Sequence, residues 1–440
     1  MNTKFHIVTF GCQMNKLDSE LLSAALRRRG FQAVDDPQDA GIVLYNTCSV
    51  REQAENRVLS HLGAWRPRAR KDPDFIVGVI GCMAQRLGKQ IATRFGHVRL
   101  VCGTRRFLDI PDYLEQIAAT GKCVVALEEG PVSFERVPEL RPEPHHAYVS
   151  IMRGCDNFCA YCIVPYVRGR ETNRPPEEIE REVHALCEDG VVEVTLLGQS
   201  VSSYGKRLPD GISLATLLRR VSPVPGLRRL RFITSHPRDM SEDILRAVGE
   251  LGNVCEHIHM PAQSGSDAVL ARMGRRYTRD HYLHLVERGR ELIDGAQFSG
   301  DFIVGFPGET DEDFELTLDL VERVRYQQSY IFRYSPREGT RAAKWADDVP
   351  DEVKRERQQR LLAAQERIDT ERRGALLGAS VEVLSNGRNR GDQSMGEWVG
   401  RTRRNDIVIF HGPPAPAGTV CDVEVLDSTT LTLFGRRVSG

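Results

Sequence analysis

Cys155, Cys159 and Cys162 stand in the segment MRGCDNFCAYCIVPYVRGR, a C-x-x-x-C-x-x-C spacing that offers three thiolates to one iron–sulfur cluster. Ferredoxin spacings with four cysteines saturate every iron and suit electron carriage. Three thiolates leave one iron open, where a small molecule can bind and be transformed. A closed zinc site needs a fourth ligand, and no neighbouring Cys or His completes one, because His145 and His146 precede the strand ahead of the loop.

A second set is dispersed. Cys12, Cys48 and Cys82 lie 36 and 34 positions apart, about one strand-helix unit each, and close the apolar runs TFGC, LYNTC and VIGC. Strand ends of a parallel sheet share one edge, so residues remote in sequence can converge there. One strand-end cysteine is readily a small buried hydrophobe; three in equivalent places point to a second metal site. Cys102 closes VRLVCG and competes on geometry alone.

The elements that must position these residues give an α/β multidomain chain. Residues 3–125 alternate apolar runs (FHIVTFGC, AGIVLYNTC, DFIVGVIGC) with helical patterns such as SELLSAALRRRGF, which predicts a parallel sheet flanked by helices. Residues 126–146, rich in proline and charge, read as a linker. From 147 to 373 six strand candidates (YVSIM, VEVTLLG, LRRLRFIT, VCEHIHM, FSGDFIVGF and SYIFRYS) alternate with helices and end in a long charged helix. This predicts a partial (β/α)6 barrel, with the cysteine loop just beyond its first strand. Residues 374–440 hold five short strands broken by Gly, Asn and Pro, as in a small β-barrel of oligonucleotide-binding type.

With 440 residues, 40% hydrophobic and 28% charged, the chain is of ordinary globular composition and long enough for two or three domains. No apolar run reaches about 18 residues and the start lacks a secretory signal, so a cytoplasmic protein without membrane partners is expected. Eleven cysteines in such a chain suit metal ligation better than a disulfide framework. A net charge of −1 gives no global pull toward nucleic acid. Locally, however, Arg388, Arg390, Arg401, Arg403 and Arg404 face only Asp392 and Glu397, with Trp398 among them as a stacking surface or a core residue.

The three-cysteine loop followed by RGRETNRP resembles the radical S-adenosylmethionine (SAM) superfamily. That resemblance implies that the open iron chelates SAM, which the reduced cluster cleaves to methionine and a hydrogen-abstracting 5'-deoxyadenosyl radical. It also implies that strand-end turns with Gly198, Gln199, Gln263, Ser264 and Gly305 line the SAM pocket. The segments TFGCQMNKLDSE, YNTCSVREQAENRV and VIGCMAQR resemble the N-terminal domain of methylthiotransferases. There the matching Cys12, Cys48 and Cys82 hold an auxiliary [4Fe-4S] cluster whose open iron carries the sulfur to be donated. Cys102, Cys123, Cys187, Cys255 and Cys421 match no motif and read as packing residues.

Over nearly its whole length the chain is similar to the methylthiotransferase family of radical SAM enzymes, most closely in NTCSVREQAENRV, RFITSHPRDMSEDI and HMPAQSGSDAVLARMGR to its bacterial tRNA-modifying type. Ser200 stands where that family usually has Asn. The resemblance implies a C-terminal TRAM domain, two [4Fe-4S] clusters, and methylthiolation of N(6)-isopentenyladenosine at position 37 of tRNA. It further implies an electron donor such as flavodoxin and a sulfur source. The competing substrates are a ribosomal-protein aspartate and threonylcarbamoyl adenosine in tRNA; a non-enzymatic iron–sulfur RNA-binding sensor is the reading from another class. Arg401, Arg403 and Arg404 are the expected phosphate contacts for the tRNA anticodon stem-loop, against a solvated charged face.

Overall fold

The computed structural model describes residues 2–49, 52–128, 130, 143–209, 211–389 and 396–438. Most of the expected linker, together with Arg390 and Asp392, lies outside the described residues. The chain packs as two compact units.

The first unit is built on a six-stranded parallel sheet. Its central strands Lys4–Thr9, Ile42–Thr47, Ile76–Gly81 and Val98–Cys102 lie side by side in that order, and Gln32–Ala33 and Val124–Ala126 form the two edges. Ile42–Thr47 and Ile76–Gly81 are buried at every position, as a parallel strand covered on both faces must be. Under one face Tyr45, Trp65, Phe75, Val77 and Phe95 make a continuous core, and the Trp65 indole donates to the Tyr45 hydroxyl at 2.6 Å, which satisfies the buried N–H. The helix Gln13–Arg28 buries Met14, Leu17, Leu21 and Leu22 at helical spacing.

Part of the cysteine loop belongs to this unit. Met152–Phe158 and Cys162–Arg174 pack with the N-terminal sheet, whereas Cys159–Tyr161 packs with the second unit.

The second unit contains six parallel strands in consecutive order: His146–Ser150, Glu193–Leu197, Arg229–Ile233, His257–His259, Gln297–Val304 and Gln328–Arg333. They form two three-stranded sheets. The seam between these is closed by the Leu230–Val254 bridge and by the Ser235 amide donating to the His259 carbonyl at 3.0 Å. Helices follow the strands, and the long helix Asp351–Gly374 packs on the last strand. This is the open (β/α)6 barrel that the alternation predicts.

Ser380–Arg388, Trp398–Thr402, Ile407–His411, Val420–Ser428 and Thr432–Arg437 then close a five-stranded barrel around Val383, Val408, Phe410, Val423 and Leu433. Trp398 packs partly against that core while Arg388 lies over its ring at 5.7 Å, so it serves packing and presents one face to a cation. No helix among the described residues is long and apolar enough to cross a membrane.

Candidate metal and cofactor sites

The dispersed cysteines meet at one sheet edge. Thr47 is in register with Gly81, so Cys48 and Cys82, the next residues, leave neighbouring strands side by side at the strand spacing of about 4.8 Å. Cys12 caps the helix Gln13–Arg28 just beyond the adjoining strand. A Cβ placed on Gly11 would lie 2.6 Å from the Cys48 Cβ, so only glycine lets the Cys12 turn approach that closely. Cys48 and Cys82 are buried and Cys12 is exposed, which leaves a way in from solvent.

Cys102, the geometric competitor, sits elsewhere in electrostatic terms. It is fully buried, and Asp109, Arg106 and Glu128 are the charges that act on it; Cys12 is among those that act on Cys82. Burial drives the Cys102 thiol far above its ordinary value, as suits a packing residue.

Around the cysteine set lies a polar network that sequence reasoning did not single out. Asn15 donates to the Thr47 carbonyl at 2.9 Å and to the Asn46 side chain at 3.2 Å; its own side-chain oxygen faces the Cys12 thiol at 3.5 Å and Arg168 Nη2 at 3.1 Å. Asp18, one turn further along the helix, accepts from Arg168 at 3.0 Å and Arg153 at 2.9 Å. Burial raises the Cys82 thiol, and the Arg168 guanidinium pulls it back by charge and by a hydrogen bond. The sequence did hold a signal: Asn15 and Asp18 fall on the buried stripe of an amphipathic helix, where polar residues need a reason.

These residues fit a cluster better than a single ion. Among the described residues no three His, Cys, Asp or Glu side chains come close enough to chelate one metal ion. A cubane takes each thiolate at a different iron and so spaces its ligands more widely. Three cysteines at one rim beside a buried guanidinium match that anionic group.

In the loop, the Cys155 amide donates to the Gly169 carbonyl at 3.1 Å. The turn before it requires Gly154, at φ +77, because a Cβ there would lie 2.1 Å from the Arg170 carbonyl oxygen. Cys162 is half-buried. Cys159, in the second unit, is held at the barrel rim: Arg275 donates to its sulfur at 3.7 Å and to the Pro261 carbonyl at 2.6 Å, and the Ala160 amide donates to the Met273 carbonyl.

Gly198 and Gly305 lie just beyond the C-terminal ends of their strands, and Gln263 follows the strand His257–His259 and bridges to Phe302. Gly305, at φ +68, donates its amide to Glu309 at 3.0 Å. Gln263 holds a left-handed φ of 72 and is buried. The Ser264 hydroxyl is spent on Thr317 and on the Ser266 amide, so it shapes the turn. Buried polar atoms without a partner follow the strand ends nearby: Gln199 Oε1, Ser200 Oγ, Thr234 Oγ1, Ser235 Oγ and His236 Nε2. Orphaned groups in such number fit a polar, hydrogen-bonding ligand of the SAM kind.

The barrel histidines carry a pH dependence. Burial pushes His259 down to about 4 and lowers His236 and His257 as well. The folded barrel therefore stays neutral at these positions while the unfolded chain takes up protons near pH 6.5. Stability is retained above about pH 6.5 and lost as pH falls toward 4. For His259 the loss reaches about 3 kcal/mol at 1.36 kcal/mol per unit. Thermal melts between pH 7 and pH 4.5 should show a falling midpoint that His259→Gln flattens; an unchanged slope in the variant removes His259 from the account.

Of the three arginines expected to meet RNA, Arg403 is committed within the fold. It grips the Glu256 carboxylate and donates to the Val254 carbonyl at 2.8 Å. Arg401 donates to Asn405, and Arg404 lies over Gly295, where a side chain would displace it.

Three families match along the chain: Uncharacterized protein family UPF0004 over residues 4–103, the Radical SAM superfamily over 149–321 and the TRAM domain over 375–438. Among solved structures, the radical S-adenosylmethionine methyltransferase TsrM from Kitasatospora setae is similar in fold, with a TM-score of 0.56 and 15% identity over 78% of this chain and 74% of that one. Curated relatives are much closer. The tRNA-2-methylthio-N(6)-dimethylallyladenosine synthase of Moorella thermoacetica is 44% identical over 99% of this chain and 98% of its own length. The protein of the same name from Caldicellulosiruptor saccharolyticus is 44% identical over 99% of this chain and 92% of its own. With three matching domains in one order and identity of this degree from end to end, the chain belongs to the tRNA-2-methylthio-N(6)-dimethylallyladenosine synthase family of radical SAM proteins.

Proposed function

We propose that this protein converts N(6)-isopentenyladenosine, also called N(6)-dimethylallyladenosine, at position 37 of tRNAs to its 2-methylthio derivative. The observation that carries the reading is the convergence of Cys12, Cys48 and Cys82 on one sheet edge in a chain that also has the radical SAM loop. Carbon 2 of adenine is not acidic enough for a side-chain base, so a cofactor must replace acid–base catalysis. When bound, SAM on the loop cluster supplies radical chemistry and a methyl group, and the auxiliary cluster supplies the sulfur.

The chain's own residues hold and orient. Cys155, Cys159 and Cys162 ligate the SAM-binding [4Fe-4S] cluster, and Cys12, Cys48 and Cys82 ligate the auxiliary one. Gly198, Gln199, Gln263, Ser264 and Gly305 shape the SAM pocket, with Gly305 kept in place by Glu309. A low-potential donor such as flavodoxin and a separate sulfur source complete the requirements, in the cytoplasm. The nucleosides of tRNA from cells lacking this protein test the reading: the isopentenyl group should remain and the methylthio group disappear. Retention of the methylthio group overturns it, and loss from a ribosomal protein instead redirects it.

For tRNA, Arg401 and Arg404 offer charge to backbone phosphate, while Arg403 fixes the domain that presents them. Arg401→Gln with Arg404→Gln should weaken anticodon stem-loop binding and lower the slope of log K against log salt by about 0.7–0.9 for each phosphate no longer neutralised. An unchanged slope sinks this assignment.

A further inference from the structure

We infer that Arg168 is a positioning residue of the auxiliary cluster: its guanidinium, locked by Asp18 and Asn15, is the buried counter-ion against which Cys12 and Cys82 hold their thiolates. The inference rests on the proposed ligation by Cys12, Cys48 and Cys82.

The geometry is specific. Arg168 is 6% exposed, ends the short helix Val164–Arg168, and donates one nitrogen to both Asn15 Oδ1 at 3.1 Å and Asp18 Oδ2 at 3.0 Å. The same Asn15 oxygen meets the Cys12 thiol at 3.5 Å, so Arg168 and Cys12 share one bridging group. Ile163 and Val167, on the same turn as Arg168, pack directly against Cys82. The Val167 carbonyl is held by the Thr104 hydroxyl at 2.5 Å, which fixes the turn to the sheet's own rim. A second buried arginine, Arg153, binds the other Asp18 oxygen at 2.9 Å and lies over the Phe107 ring.

Arg168 shares the Asp18 carboxylate with Arg153, and a buried guanidinium is costly unless anions lie beside it. Three cysteine thiolates on a cluster supply negative charge, and sulfur carried on the open iron adds to it. Positive charge and hydrogen bonds at cluster sulfurs favour the more reduced, more negative state and raise the reduction potential. Arg168 therefore sets both the retention of the cluster and its potential, while Asp18 trims the charge that Arg168 delivers.

The test uses full-length protein with Cys155, Cys159 and Cys162 all changed to alanine, so that only the auxiliary cluster can form. Iron and sulfide are measured first, after anaerobic reconstitution; absence of iron here overturns the ligation reading itself. Into that background go Arg168→Met, Arg168→Lys and Asp18→Asn, with midpoint potentials followed by electron paramagnetic resonance and folding by circular dichroism. Arg168→Met should shift the midpoint to more negative values, Arg168→Lys should restore most of the shift, and Asp18→Asn should move it the opposite way. Unfolding cannot generate shifts of opposite sign. If Arg168→Met retains no iron, the positive shift in Asp18→Asn decides alone; equal midpoints in the iron-bearing variants overturn the inference.

Discussion

Changing Cys12, Cys48 or Cys82 to alanine should reduce methylthio transfer to an undetectable level while leaving SAM cleavage intact; changing Cys155, Cys159 or Cys162 should abolish both. The asymmetry follows from where the two sets sit. Cys159 is held at the barrel rim by Arg275, beside the strand ends that carry the unpartnered polar atoms, and this supports the proposed assignment of the loop set to SAM. The dispersed set stands on the N-terminal sheet with Asn15, Asp18 and Arg168 around it, and the proposed function gives it the sulfur. Reduced, reconstituted protein given SAM and an isopentenylated stem-loop can be assayed for 5'-deoxyadenosine and for methylthiolated product in one sample. Cys102→Ala is the matched control. It removes a strand-end thiol on the neighbouring strand and should leave both products near their starting levels. Loss of 5'-deoxyadenosine in a Cys12, Cys48 or Cys82 variant, or loss of product in Cys102→Ala, contradicts the division.

How much of this was legible in the sequence differs by length scale. Local period and strand-helix alternation carry the architecture, because parallel strands buried on both faces must be apolar throughout, as Ile42–Thr47 and Ile76–Gly81 are. The cysteine sets were legible for a related reason: Cys48 and Cys82 each follow a strand directly, so alternation places them on one edge. What spacing does not encode is pairing across long separations. Arg168 is 150 positions from Asp18, and its link to Asn15 spans 153; no periodicity announces such partners. The arginine patch shows the converse failure. Arg401, Arg403 and Arg404 read as one basic face, but Arg403 has its partner Glu256 147 positions away, and a charge count along the chain cannot tell a phosphate contact from an internal ion pair.

The same long-range pairing gives the second large effect, on stability. Replacing Arg231 with methionine should destabilise the second unit by about 3–5 kcal/mol, the usual result of removing one member of a buried ion pair. Arg231, 8% exposed, donates to Glu193 at 3.1 Å and to the carbonyls of Thr402 and Arg403 at 2.8 Å each, so one guanidinium joins two barrel strands to the corner of the C-terminal barrel. Its removal takes the Arg231 donor from the Arg403 carbonyl, leaves the Thr402 carbonyl to the Asn405 amide at 3.0 Å, and leaves Glu193 with His146 and the more distant Arg229, 4.0 Å away. Burial alone would raise the Glu193 carboxyl, yet Arg231, His146 and Arg229 together hold it below its ordinary value. That stabilisation is present at neutral pH and fades as pH falls through the depressed value. Arg229→Met acts at the neighbouring corner, where the buried guanidinium bonds Glu382 and the Arg401 carbonyl, each at 2.7 Å. It should cost less, because Glu382 is 44% exposed and water can replace the missing partner. The decisive measurement is a double-mutant cycle by thermal or urea unfolding. Arg231→Met with Glu193→Gln should be more stable than Arg231→Met alone, since the uncompensated buried charge is gone. If the two destabilisations simply add, Arg231 acts by packing and the ion pair holds no share of the joint.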